Sequence, residues 1–349
     1  MAHNLNFRDG RASIMYVNEV PWHGLGTQLH EPATAQEAIE AAGLDWEVVK
    51  RPLYVVAGNG LEAISDRMAV VQRGKGKQAD KVFGVVSPSY TPLQNRDAFA
   101  FFDSIVGRKS AIYHTAGALG DGEQIWVLAK LPESIRVAKC DDVEKYLLLS
   151  NSHDGSSSVH VKFTPIRVVC QNTLTMALET GRSVRVRHGR NLQAGLQHAK
   201  DLLGIVTKRY GLIERHFQDM ARVKMASCRL VEYLRMVFPD PAPLEDGLLD
   251  LDDSARHDRQ RSLRRAIDQV LLNRRESSRL FEEGKGNKIP TVRGTLWAAY
   301  NGIAEMVDYR QEGMNADRHL RSIWFGHGSR IKSRAYQIAL EHMPGWMNG

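Results

Sequence analysis

The chain has 349 residues, of which 43% are hydrophobic and 25% charged, ordinary values for a globular protein of one large domain or two smaller ones. No run nears the roughly 18 apolar residues of a membrane span, the first residues, MAHNLNFRDGRAS, lack the apolar core of a secretory signal, and Cys140, Cys170 and Cys228 match no zinc pattern and point to reduced thiols in a cytoplasm. The net charge of +7 is uneven: residues 1–180 carry 18 basic and 20 acidic side chains, residues 181–349 carry 29 and 20. A basic half joined to a near-neutral half suggests a polyanionic partner, nucleic acid first among them, although a soluble surface that happens to be basic accounts for the charge equally well.

Residues 1–30 read as an arm around Pro21-Trp22-His23-Gly24-Leu25-Gly26. His23 and His30 have no carboxylate or thiol at ligand spacing, so no metal is expected there. Thr34 to Ala42 predicts a short helix with a Thr34/Glu37 capping box and a stop at Gly43. Leu44 to Val56, broken by Pro52, and Leu61 to Val71 read as strands joined by the Gly58-Asn59-Gly60 turn. Gly74-Lys75-Gly76-Lys77 is a basic hairpin tip that lacks the second half of a P-loop. Val82 to Val86 is a strand, and Asn95 or a neighbour caps a helix through Val106. Its apolar residues Ala98, Phe99, Phe102, Ile105 and Val106 fall at helical spacing. Ala111 to Ala118, Gln124 to Leu131 and Tyr146 to Ser150 read as further strands.

Asn151 to Leu178 holds the densest set of polar and reactive side chains. A turn at His153-Asp154-Gly155 leads into Val159, Val161 and Phe163, which alternate with His160, Lys162 and Thr164 as in a half-buried strand. Pro165 interrupts the ladder, Ile166 to Val169 resumes it around Arg167, and Cys170-Gln171-Asn172 follows, with Asn172 placed as a helix cap. A strand would thus deliver His160, Lys162, Arg167, Cys170 and Asn172 to a helix entrance, where backbone N–H groups favour anions. The plainer reading is a sheet edge and a capped helix. In the next segment, Arg182 to Arg190, Arg185 and Arg187 sit at period 2 and would face one way, as a row able to follow a phosphate backbone. A solvated hairpin accounts for them equally well.

From Asn191 the period becomes helical. Leu192, Leu196, Ala199, Leu203, Val206, Tyr210, Ile213, Phe217 and Met220 alternate steps of four and three, a heptad seam whose partner is a helix of this chain or of another copy. Pro239 to Asp253 is an acidic linker. An Arg-rich helix follows over 255–281, then an amphipathic one over 291–307 and a basic one around 332–342. The whole is an α+β fold: an antiparallel curved sheet with packing helices over residues 31–190, then a mainly helical basic region over 191–349.

Several strings resemble a phage- and plasmid-encoded family known as domain of unknown function 932. They are the Pro21–Gly26 arm, Tyr90-Thr91-Pro92-Leu93-Gln94-Asn95, Asn151-Ser152-His153-Asp154-Gly155, Arg167 to Leu174, Gly294-Thr295 through Tyr300-Asn301, and Trp324-Phe325-Gly326. The resemblance implies a bacterial mobile-element protein and names no reaction. A more distant likeness, of architecture and charge alone, is to Rad52-like single-strand annealing proteins. It implies a basic groove and ring or filament assembly.

Three functions are compatible with these readings. The first is single-stranded DNA binding and strand annealing by a homo-oligomer, with Lys162, Arg167, Arg182, Arg185, Arg187 and Arg190 along the backbone and Trp126, Phe163 and Tyr146 as stacking surfaces. The second is a nucleic-acid-processing enzyme built on Asn151, His153, Asp154, His160, Cys170 and Asn172, with His153 as base and Cys170 or a metal-bound water as nucleophile. Adjacent residues in a tight turn seldom meet as base and orienter, and no acidic pair for two-metal chemistry stands out. The third is a counter-defence protein whose basic surface binds a host protein. No cofactor, metal or membrane partner is expected.

Overall fold

The computed structural model describes residues 6–8, 10–17, 25–31, 33–58, 60–74, 79–106, 112–167, 172–173, 184–207, 210–242, 253–309, 319, 322–324 and 326–347. Its centre is a nine-stranded sheet. Three long neighbours form the middle: β8 (Ile112–Leu119), β9 (Gln124–Val137) and β10 (Asp141–Ser152), antiparallel in sequence order. Beyond β8 lie β3 (Ile14–Val17) and β4 (Thr27–Leu29), the latter parallel to β3. Part of the N-terminal arm is therefore strand. A small ribbon, β1 (Phe7–Arg8) with β2 (Arg11–Ala12), precedes it.

The other side of β10 takes two strands end to end. β11 (Val159–Phe163) pairs along Leu147–Ser150, and β12 (Ile166–Arg167) pairs at Val143–Glu144. Thr164-Pro165 separates them, as the missing N–H of proline requires. β13 (Asn172–Thr173) lies beside β12, and β14 (Val184–Val186) beside β11. β9 and β10 run past the ends predicted for them. The ladder slips between Lys130↔Tyr146 and Ser134↔Glu144, so Pro132 occupies the irregularity and pairing resumes beyond it.

A second sheet of three strands holds β5 (Val48–Ala57), β6 (Gly60–Gln72) and β7 (Lys81–Val86). The hairpin lies where predicted, with Ala57 paired to Gly60 and a register shift at Pro52. α1 (Ala35–Ala41) has its complete capping box, Thr34 accepting from the Glu37 N–H and the Glu37 carboxylate accepting in return. α2 (Asn95–Val106) begins at Asn95, whose side chain turns into the core rather than capping the helix.

The helical region comprises α3 (Leu192–Thr207), α4 (Tyr210–Arg222), α5 (Ser227–Val237), α6 (Asp253–Glu283), α7 (Leu296–Tyr309) and α8 (His327–Met347). The heptad seam is divided between α3 and α4, and its described side chains Leu192, Leu196, Ala199, Ile213, Phe217 and Met220 are all buried within one chain. α3 packs on β14 and α2, while α4 packs on α7, α8 and β9. At its described positions the seam packs internally, against the sheet and helices of the same chain. The reason is that an apolar stripe is satisfied by any apolar neighbour, and the sheet face is the nearest. Sheet and helices share one hydrophobic core, and Trp297 in α7 donates to the Asp141 carboxylate at 2.7 Å. No described helix is long and apolar enough to cross a membrane.

Candidate functional site

Side chains paired across strands point to the same face. One transverse row therefore runs Gly117, Trp126, Ser150, His160, Arg185, and the next holds Thr115, Leu128, Leu148 and Lys162. Trp324, from the C-terminal region, approaches this face, its ring 6.1 Å from that of Trp126. The opposite face carries Val127, Leu149, Val161 and Val184 and is covered by α2 and α3.

The Asn151–Gly155 turn, where β10 ends, forms a buried polar joint. His153 is fully buried. Its Nε2 lies 3.0 Å from Asn95 Oδ1, and its Nδ1 is 3.3 Å from Asn151 Nδ2. Asn95 Nδ2 in turn donates to the Leu44 carbonyl at 2.9 Å. Because Asn95 presents an acceptor and Asn151 a donor, the imidazole is neutral with its proton on Nε2. Trp46 meets the ring edge-on at 5.3 Å, and Phe83 stacks on it at 5.9 Å. Burial, and then the neighbouring His188, push its pKa down to about 3, against a smaller upward pull from Asp154. Asp154 serves its own loop, accepting from the Ser152 hydroxyl and, at 2.9 Å, from the Ser156 N–H. The alternative of His153 as a base oriented by Asp154, already disfavoured for adjacent turn residues, is not the pairing seen here. His153 is sealed under two aromatic rings, and its nitrogens belong to asparagines.

The same joint takes in the Tyr90–Asn95 segment. Tyr90 donates to the Ser152 carbonyl at 3.1 Å and stacks on His188 at 4.7 Å. Gln94 completes a strand-like pair with Val48, donating to its carbonyl at 2.8 Å and accepting from its N–H at 3.0 Å. Two strings far apart in sequence are thus one structural clamp. A Cβ on Gly84 would stand 2.6 Å from the Asp154 carbonyl oxygen, so β7 passes the turn at glycine-only distance.

On the other face, Lys162 does not line a groove. Its Nζ donates to the Trp324 carbonyl and contacts the Ser329 hydroxyl at 3.4 Å. Burial, and then the Lys332 charge, pull its pKa well below the lysine range, with Asp308 opposing. Lys332 is itself fully buried and paired to Asp308 at 2.6 Å. This lysine and aspartate network ties β11 to α7 and α8. Periodicity placed Lys162 on the solvent side of its strand, but that side is covered by residues some 160 positions later in the chain. Trp126, Phe163 and Tyr146, expected as stacking surfaces, are likewise buried, at 3%, 6% and 2% exposure.

His160 is half-buried beside Arg185, its Nε2 3.0 Å from the Ser157 hydroxyl. Burial, then Arg185 and Lys162, push its pKa down to about 4. Arg185, Arg187 and Arg190 are exposed. Arg167 and Asn172 are paired to each other through their backbones as strand residues, so Asn172 stands in β13 and not at a helix cap. Their side chains, and all of Cys170 and Arg182, lie outside the described residues. Among the described residues, no three His, Cys, Asp or Glu side chains converge as a metal site needs.

Paired basic residues occur throughout the chain, and Arg222 and the α6 residues Arg261, Arg274 and Arg279 are among them. In residues 51–145, Arg51, Arg67, Arg73, Lys81, Lys130, Arg136 and Lys145 each have a carboxylate partner. Among the described residues, the exposed Arg185, Arg187 and Arg190 show no carboxylate partner, nor do Arg259, Arg264, Arg265 and Arg275 on α6. This second group on α6 was legible as a run of arginines. Its lack of acidic partners was not.

The model of one family, described as Domain of unknown function (DUF932), matches residues 82–324. That span includes the Tyr90–Asn95, Asn151–Gly155 and Arg167–Leu174 strings and leaves out the N-terminal arm and the β5–β6 hairpin. No curated protein and no solved structure is found to match the chain.

Proposed function

The chain belongs to the DUF932 family, and we propose that this member binds single-stranded DNA and anneals complementary strands for a mobile genetic element. The observation that carries the reading is the set of exposed arginines without carboxylate partners on β14, the turn after it and α6. An unpaired guanidinium on the surface keeps its full charge available for phosphate, and its planar fork suits phosphate oxygens. His160 beside Arg185 is held neutral and adds a hydrogen-bonding group without repelling the arginines. The catalytic alternative draws less support, since its base is enclosed. Aromatic stacking is not part of the proposal, because the rings expected to supply it are in the core.

The test is binding of labelled single-stranded and duplex oligonucleotides over a range of salt, with and without magnesium. Affinity for single strands should fall with salt at a log–log slope of about −0.7 per phosphate neutralised, so replacing Arg185, Arg187 and Arg190 together by alanine should flatten it by roughly two units. All sequences should weaken alike. An unchanged slope in that variant places the binding surface elsewhere, with α6 next to be tested. Cleavage would favour an enzyme, and neither binding nor cleavage a protein partner.

A further inference from the structure

A cleft lies among α1, the segment from Leu44 to Glu47, the end of β6 and the start of α2, with a cavity volume of about 350 Å³. That is the small end of the range for ligand sites. Its walls follow from the alternation of the extended 44–47 segment, whose successive side chains point to opposite sides. Leu44 and Trp46 turn inward and are buried, while Asp45 and Glu47 stay exposed. Ile39 of α1, also buried, completes the apolar lining. The exposed lining carries both signs, with Arg73 and Arg96 beside the two carboxylates.

Two donors in this cleft lack an acceptor. Trp46 is 8% exposed, and among the described residues its indole N–H donates to no group. A donor buried to this degree is costly unless a water or a ligand accepts from it. Arg96 likewise donates no side-chain hydrogen bond among the described residues. Its one ion pair is with its neighbour Asp97 at 4.0 Å, beyond hydrogen-bonding distance. The other polar groups of the lining are differently placed. Gln94 commits both side-chain ends to Val48. Glu47 pairs with Arg73 at 2.8 Å, and since a carboxylate has about four acceptor sites, it keeps capacity for a further donor.

We propose that this cleft binds a free α-amino acid with an apolar side chain. The ligand carboxylate accepts from the Arg96 guanidinium and the Trp46 N–H, the ammonium donates to Asp45 and Glu47, and the side chain covers Ile39 and Leu44. Charge balance selects this class. A simple anion, or the doubly charged phosphate of a nucleotide, would satisfy Arg96 but face two carboxylates, and a simple cation would leave Arg96 and Trp46 as they are. A zwitterion meets both signs, and its ionic groups form charge-assisted hydrogen bonds. The inference goes beyond the strand-binding reading, because the cleft includes neither the Arg185–Arg190 row nor any residue of α6.

The test titrates the full chain, free of nucleic acid, with L-leucine and L-phenylalanine by calorimetry. Nitrogen–proton NMR follows the tryptophan indoles, with the Trp46 peak identified from Trp46→Phe. Both amino acids should saturate one site by millimolar concentration and shift that peak. L-Leucinamide, which lacks the carboxylate, and isocaproate, which lacks the ammonium, should each bind the parent about tenfold more weakly or worse, the loss of one charge-assisted hydrogen bond. Arg96→Ala should melt with the parent, its side chain being 73% exposed, and should weaken leucine by a similar factor. Asp45→Asn combined with Glu47→Gln should do the same. No saturation by either amino acid overturns the proposal. Isocaproate as tight as leucine makes the cleft a plain anion site, and leucinamide as tight removes the role of Arg96 and Trp46; either result overturns it. Full affinity in Arg96→Ala, or an unmoved Trp46 peak, places the ligand elsewhere and overturns it too.

Discussion

His153→Gln isolates the energetics of the buried joint. Burial holds the folded imidazole at a pKa of about 3, against 6.5 ordinarily. The folded value is depressed, so as pH falls the unfolded chain takes up this proton first. The stability linked to His153 is complete above about pH 6.5 and drains away as pH falls toward 3. By pH 4.5 the unfolded chain has gained on the order of 2–3 kcal/mol from protonating this one ring while the folded chain has gained little. Glutamine cannot titrate, yet retains a donor for Asn95 and an acceptor for Asn151. At pH 7.5 the variant should be weaker by about 1–3 kcal/mol, through lost packing against Trp46 and Phe83. At pH 4.5 that gap should close or invert. Urea unfolding of both proteins at pH 7.5, 6.5, 5.5 and 4.5 measures the gap directly. His160, His188 and His216 also have lowered pKa values, but they titrate in both proteins and cancel. A gap that stays constant across the series would show that His153 is solvated or charged in the fold, and the sealed joint would be wrong.

Asp308→Asn removes the carboxylate paired with the buried Lys332 and should cost about 3–5 kcal/mol in urea unfolding, whereas Asp308→Leu with Lys332→Met should recover most of the loss. Gly117→Ala places a methyl 2.4 Å from the Trp126 ring and 2.8 Å from the Ser13 carbonyl oxygen. It should destabilise by about 1–3 kcal/mol and shift tryptophan fluorescence, and a silent variant would mean that Trp126 moves freely. Lys162→Met should leave the salt slope of strand binding unchanged while exposing the segment around Trp324 to proteolysis. A flattened slope would restore Lys162 to the binding surface.

What the sequence determined by itself was local. The Thr34/Glu37 capping box, the Gly-Asn-Gly hairpin, the alternation of Val159 to Phe163 and the change from strand to helix period near residue 191 all rest on contacts between neighbours in the chain, which a short window contains. The α+β class followed from them. Tertiary structure decided what each surface faces. The alternation at β11 correctly divided Val161 from Lys162, yet only the arrival of Trp324 and Ser329 at the sheet turned Lys162 from a surface lysine into a half-buried anchor. The seam from Leu192 to Met220 had a legible period, but a period does not name its partner, and the sheet and α7 took the place of a second coil. The run from Tyr54 to Val56 reads as part of an extended segment, and only the tertiary structure leaves it in solvent. The polar string at Asn151–Asp154 leaves chemistry and structure open, and only the arrival of Asn95, Trp46 and Phe83 from distant segments encloses His153. Burial depends on which distant segment arrives, and no local pattern carries that information.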